Sequence, residues 1–115
     1  MQSVGFALPL LPGKTDTDRS VMRSCWQGER KASHQSAREG LGITREAVWI
    51  QETPAGDVVV VYMEADDLQA AVEGMASSQE PFDRFFRDHL REVHGLELQD
   101  GFAPPEQVLD FRATR

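Results

Sequence analysis

A single cysteine, Cys25, stands in the 115 residues. One thiol excludes an internal disulfide framework and any zinc centre built from several thiolates. It suits a reducing compartment, and a cytoplasmic protein is expected. Basic residues are also short, 12 against 19 acidic, for a formal net charge of −7. Without a basic stripe interleaved with aromatics the chain has little means of neutralising phosphates, so neither nucleic acid nor an anionic membrane is expected as a partner. No apolar run approaches the roughly 20 residues of a membrane span. The opening MQSVGFALPLLPGK has an apolar middle but no basic residue before it, and reads as a strand, not a signal peptide. Glycine-rich phosphate loops and serine-centred elbows are absent. Histidines at 34, 89 and 94 show no metal-ligand spacing, so no metal is expected.

What is present is organised around Ala47–Glu64, AVWIQETPAGDVVVVYME. Thr53-Pro54-Ala55-Gly56 is a turn, with proline where φ near −65° is wanted and glycine where the chain swings to positive φ. It joins two β-rich runs into a hairpin. Alternation puts Val48 and Ile50 on one face and Ala47, Trp49 and Gln51 on the other. On the return strand Val59, Val61 and Met63 oppose Val58, Val60, Tyr62 and Glu64. A hairpin with one wet face would alternate apolar with polar, and this one is apolar on both. Both faces therefore need cover.

Around the hairpin the chain reads as one domain, 1–115, long enough to bury roughly two thirds of its unfolded surface. Val4, Phe6, Leu8 and Leu10 mark a first strand, with Pro9 placing its far end at an edge or bulge. A helix is predicted from Asp16 to Glu39, capped by Thr15 or Thr17, favoured by Asp16 and Asp18 near its start and stopped at Gly40 or Gly42. Its inward stripe is Met22, Cys25, Glu29, Ala32 and Ser36, with Val21 and Trp26 beside it. A short helix capped by Asp66 follows over 67–76, then one over 81–94 that starts at Pro81, ends at Gly95 and turns Phe82, Phe85, Phe86, His89, Leu90 and Val93 inward. Leu96-Glu97-Leu98 is read as extended, and Gln107–Arg112 as a last strand.

The order is then β-α-β-β-α-α-β, the ferredoxin-like split βαβ arrangement: α+β, a four-stranded antiparallel sheet with helices on one face. Its bare face predicts a homodimer through the sheet. Ala47–Glu52, Gly56–Glu64, Pro81-Phe82-Asp83 and Pro105–Ala113 together resemble the small uncharacterised members of the dimeric α+β barrel superfamily, over nearly the whole chain. The resemblance implies two ferredoxin-like subunits paired through open sheet faces. It carries no catalytic signature, since the superfamily spans cofactor-free monooxygenases, haem-degrading enzymes, dye-decolourising peroxidases, sugar mutarotases and proteins of no known activity.

Two polar residues fall on inward stripes. His89 among phenylalanines can serve as acid or base, ligate haem iron, or simply bond a neighbour at the edge of the core. Glu29 needs a partner or a raised pKa if it is inward, and neither if the helix is rotated. Both helices lie on one side of the sheet in this fold, so Glu29 and His89 are the expected catalytic pair. Trp26, Trp49, Gln51, Tyr62 and Phe86 are the expected ligand-binding residues; Trp49, Gln51 and Tyr62 belong instead to the dimer seam if their face turns outward. His34 reads as a surface residue, His94 as a charge favouring a helix end, and Cys25 as a small buried hydrophobe. No cofactor is predicted, with haem left open by His89. Three functions follow: a monooxygenase-like enzyme with a pocket between helices and sheet, a non-catalytic dimer holding a small apolar molecule there, or a structural dimer whose pocket is filled by Trp26 and Phe86.

Overall fold

The computed structural model describes residues 1–114. In chain order it comprises β1 (Gln2–Pro9), α1 (Thr15–Gln27), α2 (Lys31–Gly40), β2 (Ile43–Gln51), β3 (Val58–Ala65), α3 (Leu68–Ser77), α4 (Pro81–His94) and a 3-10 turn, Leu98–Asp100. The three strands make one antiparallel sheet in the order β1-β3-β2. The valine-rich β3 is thus central, as apolar side chains on both faces require.

The turn forms as its residues dictate. Gly56 takes φ +126° and its N–H donates to the Thr53 carbonyl at 3.0 Å. This fixes the register: Val61 lies between Phe6 and Val48, and Tyr62 between Gly5 and Ala47. Alternation then sorts the sheet. Val59, Val61, Met63 and Ala65 are buried under the helices, in a core with Ala71, Met75, Phe86, Leu90 and Val93. Ala7, Val58, Val60, Tyr62, Trp49 and Gln51 share the opposite face with Arg45, and no layer covers it among the described residues.

Local signals also set the later helices. Asp67 caps α3 by accepting from the Ala70 N–H at 3.1 Å. Pro81 opens α4, and Gly95 closes it at φ +66°, its N–H donating to the Arg91 carbonyl while Leu96 N–H reaches the Leu90 carbonyl.

Four expectations are corrected. The helix predicted over 16–39 is two helices, broken at Gly28–Arg30. Gly28 leaves the helix with an extended backbone, and a Cβ there would sit 2.8 Å from the Ser24 Cα, so the chain passes where only glycine fits. Lys14, and neither threonine, occupies the cap position; Thr15 Oγ1 instead donates to Asp57 Oδ2 at 2.6 Å. Among the described residues the sheet has three strands and not four, because Gln107–Arg112 pairs with none of them. Phe102 is anchored edge-on against Phe6, and beyond Pro104-Pro105 the chain leaves the body with Val108, Leu109 and Phe111 in solvent. Leu96–Leu98 is not extended throughout, since Leu98 begins the 3-10 turn.

Candidate functional site

Edge strand β2 carries the central residue of the site. A register shift between Ile43 and Arg45 sets its parity so that Glu46, Val48 and Ile50 turn under the helices. Glu46 is therefore a carboxylate on the apolar inner face of the sheet, opposite Met63, with its side chain 12% exposed. Such a charge needs partners. Helix α2 supplies two, one turn apart on the same face. His34 Nε2 lies 2.7 Å from Glu46 Oε1, and Arg38 Nε donates to the same oxygen at 2.9 Å. Burial pushes the Glu46 carboxyl upward, but the His34 hydrogen bond and the Arg38 charge outweigh it and hold the group at about 2. Arg38 is itself buried, its guanidinium 4.4 Å from the centre of the Phe86 ring, and its Nη1 donates to no protein atom.

Two openings reach this cluster, and Glu46 and Phe86 line both. The first is a cavity of about 620 Å³ between the inner sheet face and α3–α4, walled by Phe6, Met63, Val72, Met75, Leu90 and Phe102. Apart from Glu46, its polar residues are Gln69, Glu73 and Gln99. The second is a cleft of about 730 Å³ along the outer edge of β2, beneath α1 and α2. Arg19, Arg23, Trp26, His34, Arg45 and Trp49 give it a basic and aromatic wall. Cys25 also faces this cleft, and burial pushes its thiol up, away from the reactive thiolate. No group of three metal-ligating side chains occurs among the described residues.

The structure does not bring Glu29 and His89 together. Glu29 falls in the break between α1 and α2, with a side chain 78% exposed and paired to Arg30. The helix phase that would turn it inward ends at Gly28. His89 is inward as expected, but its Nε2 lies 2.7 Å from Asp18 Oδ1, with both residues buried and lining neither opening. That pair bolts α1 to α4 across the core. Of the expected ligand-binding residues, Phe86 lines both openings, and Trp26 and Trp49 flank the cleft, each more than half exposed. Gln51 and Tyr62 lie on the uncovered sheet face, where the Tyr62 hydroxyl donates to Glu64 at 2.6 Å. His94 ties the end of α4 to β1 through the Pro9 carbonyl, 2.7 Å from its Nδ1.

His34, Arg38 and Glu46 are the residues that sequence reasoning missed. Glu46 is two positions before Val48 and four before Ile50, so strand parity places it inward with them. His34 and Arg38 share a face four residues apart, visible once the helix phase is restarted at Lys31.

No protein-family model and no curated protein matches the chain. Among solved structures, the L-rhamnose mutarotase of Formosa agariphila superposes with a TM-score of 0.67 at 10% identity, covering 97% of this chain and all of that one. At that identity the likeness is one of fold alone, a small α+β domain.

Proposed function

We propose that this protein binds a small, largely apolar molecule in the cavity between its helices and its sheet, with a hydrogen-bond donor on the ligand directed at Glu46. The observation that carries the reading is an ionised, mostly covered carboxylate at the wall of a cavity of about 620 Å³ with largely apolar walls. Such a cavity is of the size that takes a small ligand, and a few polar groups among apolar walls fix orientation. Because Arg38 and His34 keep Glu46 anionic, the matching ligand offers an O–H or N–H, and a carboxylic acid is repelled. Calorimetric titration with p-cresol tests this. Saturable binding is expected for the wild type, and its loss in Val72→Trp, which fills the cavity from α3. Equal heats in both proteins would sink the cavity as the binding place.

A catalytic reading is favoured by one specific feature: His34 hydrogen-bonds Glu46 at the wall of the cleft, between Trp26 and Trp49. A carboxylate-oriented imidazole can move protons without a cofactor. Sugar anomer exchange asks for no more than proton transfer, and the structural relative is an L-rhamnose mutarotase. The reading predicts that the protein speeds L-rhamnose anomer exchange in NMR saturation transfer and that His34→Ala abolishes the effect. A rate equal to buffer in the wild type removes it.

A further inference from the structure

The inner cavity carries charge of one sign only. Glu46 and Glu73 are among its lining residues, and no lysine, arginine or histidine is. The elements around it repeat this bias. β1 has no charged residue, α3 has Glu73 alone, and residues 96–104 hold Glu97 and Asp100 without a basic residue. Two arginines of α4 reach these elements, and both are engaged. Arg87 Nη1 donates to the Met75 carbonyl at 2.8 Å, and Arg91 grips Glu97 through Nε and Nη2. A cavity lined by a single sign of charge concentrates ligands of the other sign.

The two carboxylates differ in what they can accept. Glu46 is already matched by the Arg38 guanidinium and hydrogen-bonded by His34, so it suits a neutral donor. Glu73 stands at the exposed rim, where its Oε1 accepts from the neutral Gln69 amide at 3.1 Å and no cation pairs with it among the described residues. Gln69 donates through Nε2, which keeps its amide oxygen as a further acceptor beside Glu73. Between these poles the walls are rich in phenylalanine and methionine, with Phe6, Phe86, Phe102, Met63 and Met75, surfaces that pack well on an aromatic ring. We infer that the cavity takes an organic cation: an aromatic body with a hydroxyl at the Glu46 end and a protonated amine at the Glu73 rim. The ligand class rests on the binding place proposed above and adds the charge of the ligand to it.

Calorimetric titration at pH 7 and low ionic strength tests it with tyramine, tyrosol and 4-hydroxyphenylacetate, which share one phenol and end in a cation, a neutral hydroxyl and an anion. Because the Glu73 rim is wet, tyramine is expected to bind about threefold tighter than tyrosol, and the anion more weakly than either. The preference should shrink in about 0.5 M salt, as screening requires. Glu73→Gln, which still offers Gln69 an oxygen to donate to, should bring tyramine level with tyrosol. Glu39→Gln makes the same charge change on an exposed residue that lines neither opening, and should keep the preference. Binding of p-cresol without a preference for tyramine overturns the inference and leaves the cavity reading standing. So does a preference that survives Glu73→Gln, or one that Glu39→Gln removes equally. Failure of all four compounds, p-cresol included, removes the cavity reading and the inference with it.

Discussion

Glu46 shows how a single side chain combines a cost and a use. Placed among Val48, Ile50 and Met63 it would be strongly destabilising alone, and His34 and Arg38 convert it into a mostly covered, charged anchor. Its carboxyl is held at about 2, below the ordinary value of 4.5. A depressed folded-state value means that the stabilisation is fully present above about pH 4.5 and is lost as pH falls towards 2, amounting to roughly 3 kcal/mol. Glu46→Gln should therefore lower stability at pH 7 and flatten the fall between pH 4.5 and 2, as read from urea unfolding at a series of pH values. A variant whose stability falls as steeply as the wild type over that range would show that another group carries the acid sensitivity. Little of this cluster was legible beforehand. Strand parity implied that Glu46 faces inward, but the partners that make it tolerable sit on α2, whose phase was hidden by treating residues 16–39 as one helix. His89 was correctly turned inward, yet its partner Asp18 was read only as a helix-dipole charge, and no local pattern joins residues 71 apart.

At the scale of elements, the break at Gly28 decides which side chains reach the site. It restarts the helix so that His34 and Arg38 face β2 and Glu29 faces water. A methyl group at position 28 would press on the Ser24 backbone, which cannot swing aside as a long side chain can. Gly28→Ala is expected to cost about 1–3 kcal/mol in urea unfolding. A neutral or stabilising result would mean that α1 and α2 can fuse into one helix at no cost. Elements with strong local punctuation were legible: the Pro-Ala-Gly turn and the Pro81 to Gly95 limits of α4, whereas the cap of α3 falls on Asp67, one residue after the expected Asp66. Gly28 lies inside the run read as one helix, because a break and a tolerated glycine look alike until the packing is known. The final strand failed for a different reason. Gln107–Arg112 has strand-like alternation, but a strand exists only with a neighbour, and none is present in the single chain.

For the molecule as a whole, the apolar hairpin led to the right arrangement: β3 central, helices on one side, the other side bare. An L-rhamnose mutarotase superposes on this fold at 10% identity, so likeness of fold here does not require likeness of residues. Trp49 and Tyr62 fall on the bare face, which leaves the inner cavity lined mainly by β1, β3, α3 and α4. The four methionines report on this partition, since Met63 and Met75 line the cavity, Met22 the cleft, and Met1 is exposed. NMR of methyl-labelled methionine during titration with p-cresol tests the central claim most directly. The cavity predicts saturable shifts of the Met63 and Met75 methyls with Met1 unmoved; no saturable shift at either, or shifts confined to Met22, would contradict it.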